Sequence, residues 1–258
     1  MPADLQPEDR RRAEELREEL SRSSRAEPSE IRTVRSPYRA SPLGAHVDHQ
    51  GGVVTGMALD RCLLLAFAPR TDRKFVVRSR QFGEPVEIDM DHLEPRPQGD
   101  WADYARGAVH ALKAAGHDLD TGATAMVDGY TNCGGLSSSA ATGVAYLLAL
   151  EQANGLDLDD WQNIDLDRRI ENDYIGLNNG ILDQSCILLS RPNNLTVLDC
   201  EDSTAELVPL GGGAEVSIVC LFSGLRTPLS DTDYNRRVDE CREAATQLLQ
   251  AAGREVPE

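Results

Sequence analysis

Gly134-Gly135-Leu136-Ser137-Ser138-Ser139-Ala140-Ala141 lies between a short strand-forming run, Thr124 to Val127, and a strongly apolar helical stretch from about Leu136 to Ala153. A strand, a glycine turn and a helix start, in that order, place unpaired backbone N–H groups and the positive end of a helix dipole where a ligand can come close to the backbone. The serine hydroxyls add donors and an oxygen that can bind a metal. These are the properties of a phosphate cradle, although a bare helix start with a flexible lead-in would use the same residues. A Walker-type loop is excluded because no lysine follows the glycines. The two lysines, Lys74 and Lys113, are far away in sequence.

Outward from this turn the texture divides. On the N-terminal side, Ile31 to Arg35, Val53 to Ala58, Arg61 to Phe67, Lys74 to Ser79 and Val86 to Met90 read as strands separated by Gly, Pro and Asp. Trp101 to Ala115 reads as a helix stopped by Gly116. On the C-terminal side, helices are expected at about Trp161 to Tyr174, Gly180 to Ser190 and Asp231 to Ala252. Strands are expected at Leu195 to Leu198 and Val216 to Phe222. Strands first, then helices and strands mixed, predict an α+β fold. Before all of this, residues 8–22 form a heavily charged helix with a thin apolar stripe of Ala13, Leu16 and Leu20, expected to lie on the main body. Ser21 to Glu30 reads as a linker.

The chain has 258 residues, with 43 acidic against 26 basic side chains and a net charge of −17. So acidic a surface would be repelled by nucleic acid or an anionic membrane, and neither is expected as a partner. The longest apolar runs, Cys62 to Ala68 and Val144 to Leu150, are far short of a membrane span. No signal peptide is read at Met1. The six cysteines have no C-x-x-C spacing and read as reduced core thiols of a cytoplasmic protein.

Two further stretches are too polar for their surroundings. Ser36 to Gly52 packs Arg39, His46, Asp48, His49 and Gln50 among prolines and glycines, as a binding loop for a hydroxyl-rich molecule would. The His46-x-Asp48-His49 spacing also admits a metallohydrolase, which would need further ligands. Glu171 to Ser185 carries Asp183 inside an apolar run (Ile181, Leu182, Ile187, Leu188), so Asp183 faces either solvent or a site.

Taken in order, the three stretches resemble the signature of the GHMP small-molecule kinases, specifically the galactokinase branch. That family's sugar motif G-R-V-N-L-I-G-E-H-T-D-Y-N-G-G is similar to Arg39 through Gly52. Its G-L-S-S-S-A loop matches Gly135 to Ala140, and its G-I-M-D-Q matches Gly180 to Gln184. A later sugar-side stretch matches Gly224 to Arg226 and Asp233-Tyr234. The resemblance implies a GHMP-kinase N-terminal lobe of the ribosomal protein S5 domain 2-like type, with a mixed sheet and helices. Residues 31–190 would form that catalytic lobe, after a charged helix and linker over 1–30. The start of a truncated C-terminal lobe would cover 191–258.

The same resemblance implies ATP and Mg2+ as cofactors and a sugar or sugar acid as substrate. Asp183 would accept or orient the proton of the anomeric hydroxyl, and Arg39 would stabilise the transferred phosphoryl group. Gly134, Gly135, Leu136, Ser137, Ser138 and Ser139 would hold the nucleotide phosphates, while Ser139 and Glu171 would bind the metal. Ala45, His46, Asp48, Gly180 and Tyr234 would line the sugar site.

Two departures from the family pattern matter. Ala45 stands where galactokinases have a Glu facing the C6 hydroxyl of the sugar. A substrate with a C6 carboxylate would clash with that Glu, so alanine points to D-galacturonate, and residues 36–52 resemble galacturonokinases most. Galactokinase proper is the alternative. The family also continues past this length through another glycine-rich motif, and Gly211 to Gly213 comes too early to be it. A missing segment, a second chain completing the lobe, or a non-catalytic sugar- and nucleotide-binding remnant would each account for this. Apolar surface is then expected to be exposed. Arg226, Arg236 and Arg237 are candidates by charge alone for receiving a C6 carboxylate.

Overall fold

A computed structural model describes residues 6–129, 135–211, 218–222, 224 and 232–256. One long strand, β2 (Val53–Arg70), organises its sheet. Along one edge β2 pairs antiparallel with β1 (Arg32–Leu43). Along the other, Leu64–Arg70 pairs with β5 (Gly122–Asp128) and Val53–Gly56 with β6 (Asn194–Asp199). Beyond β5 lie β3 (Lys74–Ser79), parallel to it, and β4 (Val86–Asp89). β7 (Thr204–Pro209) pairs outside β6, so the sheet continues past residue 190. The result is a seven-stranded mixed sheet with helices, the α+β class read from the sequence.

The apolar run Cys62 to Ala68 has no alternation because both of its faces are covered. Cys62, Leu64, Ala66 and Ala68 turn towards α1 (Pro7–Ser24) and meet its buried stripe of Ala13, Leu16 and Leu20. Leu63, Leu65 and Phe67 turn the other way. They join the main core with α2 (Asp103–Ala114), α3 (Ser138–Asn154) and Leu166 of α4 (Asp160–Arg169). α1 is fixed at its rim by Arg12, which pairs with Asp128 at 3.0 Å, and by Glu19, which pairs with Arg80 at 2.9 Å. α4 starts on a capping box of Asp159 and Gln162 and runs into a wider π turn, Ile170–Ile175. α5 (Leu182–Leu189) and α6 (Tyr234–Ala251) follow. No described helix is long and apolar enough to cross a membrane.

The structure corrects four details. Ser36 to Leu43, read as part of a loop, belongs to β1; only residues 44–52 form a connection. β2 accommodates the exposed end of this stretch: Ser41 Oγ donates to the Thr55 carbonyl at 2.9 Å and the Leu43 backbone N–H to Thr55 Oγ1 at 3.1 Å. The two strands read at Val53 to Ala58 and Arg61 to Phe67 are one, with Asp60 exposed on it and its carbonyl accepting from Arg35. β7 is an additional strand without a sequence signal, because every one of its residues is exposed and the pattern carries no alternation. Of the strand expected at Val216 to Phe222, residues 218–222 carry no regular structure and 216–217 lie outside the described residues.

Between α3 and α4 a buried carboxyl, Glu151, accepts from Asn163 Nδ2 at 3.3 Å, and its second oxygen has no described partner. Burial pushes it from 4.5 to about 7. The folded state therefore holds a proton at Glu151 that the unfolded chain has lost, and this group's contribution to stability falls as pH rises from 4.5 to about 7, then levels off. Glu151→Gln removes that penalty. Urea titrations should show the variant more stable than the parent at pH 8, by on the order of 3 kcal/mol, with the gap closing towards pH 4.

Candidate active site

The site forms where β1, the α3 start and the α5 start converge on Arg39. The β1–β2 register shifts between Pro37 and Arg39, an irregularity that re-aims side chains near strand ends. From there Arg39 makes three kinds of contact. Its Nε donates to Asp183 Oδ1 at 2.8 Å with Nη2 2.7 Å from the same oxygen, its Nη1 donates to the Gly135 carbonyl at 2.8 Å, and its backbone N–H donates to the Leu136 carbonyl at 3.2 Å. Residues 39, 135–136 and 183 are thus one hydrogen-bonded unit, with the ion pair largely shielded (15% and 25% exposed).

The turn beside it is built to leave donors open. Gly135 has φ +82, a conformation that favours glycine, and Ser137 is also left-handed at φ +58. Ser137 stands at the N-cap of α3, yet no side chain caps the helix, and the buried Ser137 hydroxyl has no described partner. No acid lies in the first turn of α3. Uncapped N–H groups at a dipole's positive end form an anion receptor. Gly134 lies outside the described residues.

Behind the turn is a buried acidic cluster. Glu171, on the π turn, accepts from Tyr104 Oη at 3.2 Å and from Asn179 Nδ2, and the Ser139 hydroxyl lies beside both the carboxyl and the phenol. Burial raises the Glu171 carboxyl, and the Asp183 charge adds to that. One helical turn earlier, Asp167 is fully buried against Gly143 of α3, and neither of its oxygens has a described hydrogen-bond partner. Burial, then the charges of Glu171 and Asp183, push it well above the usual carboxylate range.

The loop after β1 closes the opposite side. Asp48 Oδ2 accepts from the Leu182 backbone N–H at 3.2 Å and so caps α5 from another segment, beside Asp183. Gly180 is required there, since a Cβ would lie 2.4 Å from Asp48 Oδ2. Asn235 pins α6 by accepting from the Asn178 N–H at 2.9 Å and donating to the Gly176 carbonyl at 2.8 Å. That brings Tyr234 between His46 and His49, 6.3 Å from each ring. Burial and the charges of Asp48 and Asp183 raise the Tyr234 hydroxyl. Ala45 is exposed beside His46. Among the described residues no three His, Cys, Asp or Glu side chains come together as a metal-ligand set, so His46, Asp48 and His49 are not one.

Every site residue read from the sequence and described in the structure falls in this region. Sequence reasoning missed Tyr104, Asp167, Asn179 and Asn235. Asp167 could have been found from its i,i+4 spacing to Glu171; the other three carry no local signal.

Residues 103–191 match the family model for the N terminal domain of GHMP kinases. The galacturonokinase of Arabidopsis thaliana is 43% identical over 258 residues, covering 92% of this chain and 61% of that protein. The galactokinase of Exiguobacterium sibiricum is 33% identical over 218 residues, covering 83% and 56%. Lactococcus lactis galactokinase, crystallised with galactose, superposes with a TM-score of 0.80 at 28% identity, over 92% of this chain and 62% of that one. The chain therefore spans about three fifths of the length of these relatives.

Arg39→Ala should loosen the turn. The amide of residue 39, which donates to the Leu136 carbonyl, is expected to exchange with deuterium at least tenfold faster once corrected for its intrinsic rate, while the amides of β2 are unchanged. Unchanged protection at residue 39 would show that the Arg39 side chain does not hold the turn.

Proposed function

From the premise that the chain carries the N-terminal domain of the GHMP kinases, we propose that it is an ATP- and Mg2+-dependent sugar-1-kinase acting on D-galacturonate. The products are galacturonate 1-phosphate and ADP. The observation that carries this reading is the Arg39 bridge, which puts an acid and an anion-receiving turn 44 or more residues apart in sequence side by side.

Chemistry follows from that pairing. Asp183 takes the proton of the C1 hydroxyl as its oxygen attacks the γ-phosphorus of ATP and ADP leaves. Arg39, already between acid and turn, neutralises charge on the transferring group. The N–H groups at the start of α3 hold phosphate oxygens, and Asp48, His46, Gly180 and Tyr234 orient the sugar. Such transfers need mainly positioning and charge stabilisation, which this set supplies.

The metal fits beside the buried acids Glu171 and Asp167: burial and the Asp183 charge raise the proton affinity of both, and the Glu171 charge raises that of Asp167 further. Magnesium uses one or two protein oxygens and completes its shell with water and phosphates, so Ser139 and Glu171 suffice. Bound there, it would neutralise the phosphate charge. The phosphates of ATP then meet local positive groups despite the chain's net charge of −17.

Galacturonate is favoured over galactose by Ala45 and by the 43% identity to a galacturonokinase against 33% to a galactokinase. A galactokinase is the second reading, supported by the fold match to an enzyme crystallised with galactose. The reading also takes in a further segment or second chain making up the length of the relatives. It places the protein in the cytoplasm, in keeping with its free thiols.

Coupled ADP-release assays over a sugar panel test the reading. D-galacturonate should give the highest kcat/KM, and Asp183→Asn should lose about 100-fold or more. Ala45→Glu, next to His46 of the sugar site, should lower kcat/KM for galacturonate at least about tenfold more than for galactose, since a second anion there repels the substrate's carboxylate. Higher turnover of galactose by the parent would make it a galactokinase instead.

A further inference from the structure

We propose that the carboxylate of an acid sugar is received by His49 and Arg237, on the wall of the cavity beside Tyr234. The inference rests on the sugar-kinase reading and adds the side chains that tell an acid sugar from a neutral one. The cavity, about 410 Å³, is bounded by His46, His49, Asp233, Tyr234, Arg237 and Cys241. That volume is within the ~300–1,000 Å³ range of small-molecule sites. Asp48, on the turn that carries His49, ties it to the reacting acid, because its Oδ2 accepts from the N–H of Leu182, the neighbour of Asp183.

A hexuronate bears its carboxylate on C5, across the ring oxygen from C1. With the C1 hydroxyl at Asp183, a second anion is repelled by Asp183, Asp48 and Glu171. The cavity wall is largely apolar, and the nitrogen donors among its residues belong to His46, His49 and Arg237. His49 is T-shaped against Tyr234 and lies on the short helical turn Asp48–Gln50, which is fixed from the other side by the bond from Leu182 N–H to Asp48. The galactokinase motif has Tyr at this position, so the chain replaces a phenol by an imidazole facing the cavity. An imidazole N–H can donate to a carboxylate oxygen.

Arg237 is three residues after Tyr234 on α6, on the same side of the helix. Its Nη1 pairs with Glu240 Oε2 at 2.6 Å, with side chains 66% and 42% exposed. An exposed pair of this kind contributes little, so the guanidinium can exchange Glu240 for a ligand carboxylate, which it can hold with two parallel bonds. The three arginines that charge alone could not rank are now separated. Arg237 lines the cavity; Arg236 pairs with the same Glu240 at 3.0 Å without lining it; Arg226 lies outside the described residues. One acid, Asp233, shares the wall, and it stands at the N-cap of α6, beside that helix's positive end.

Calorimetric titration of the 258-residue chain with D-galacturonate, its methyl ester and D-galactose tests the assignment. The parent should bind the acid at least tenfold more tightly than the ester. The ratio of galacturonate to galactose affinity should fall at least fivefold in both His49→Tyr and Arg237→Gln and stay unchanged in Arg236→Gln. Equal affinity of the parent for acid and ester overturns the inference even if the variants fail to fold. So does a ratio unmoved by both cavity substitutions while galacturonate still binds. A parent chain that binds neither sugar overturns the sugar-kinase reading, and this inference with it.

Discussion

The guanidinium of Arg39 is the constraint on which the site depends. It reaches the carboxylate of Asp183 with two nitrogens and the Gly135 carbonyl with the third, while its own backbone N–H meets Leu136. A lysine could make one of these contacts but not the fork. Without the bridge, the turn before α3 would keep a single backbone bond, from the N–H of residue 39 to the Leu136 carbonyl, and Asp183 would stand in the first turn of a helix with no cation beside it. The acid and the phosphate-receiving turn are a single mechanical unit because one planar group touches both.

The sheet exists to deliver that group. β2 is long enough to hold β1 along one edge and both β5 and β6 along the other, so the strand carrying Arg39, the strand leading to the glycine turn and the strand after α5 share one spine. Burial on two faces, by α1 and by the α2–α3 layer, makes the spine rigid. The acids behind the turn point the other way energetically. Asp167 and Glu171 are buried with their proton affinities raised, a cost to the isolated chain that a bound cation would relieve.

Most of the architecture was legible because its signals are local. The apolar run at Cys62 to Ala68, the helix stop at Gly116 and the helix from about Trp161 each follow from neighbouring residues. The errors came where tertiary contacts decide. Ser36 to Leu43 looks too polar for a strand until Arg39 is seen to bond Asp183 and Gly135 and Thr55 to bond Ser41 and the Leu43 N–H, and Asp60 looks like a turn although its side chain simply faces water. At the site, the residue types and their order pointed to Arg39, Asp183 and the serine turn. The supporting shell did not show itself, since Tyr104 and Asn235 reach their partners across 67 and 57 residues of chain.

A double-mutant cycle between Arg39 and Asp183, read out as affinity for magnesium–ATP by calorimetry, addresses the bridge most directly. If one guanidinium holds both the acid and the turn, Asp183→Asn changes nucleotide affinity through Arg39 and has little further effect once Arg39→Met is present. The coupling energy is then about 1 kcal/mol or more. Effects that add to within about 0.3 kcal/mol would mean that the acid and the turn act independently, and that Arg39 does not join them.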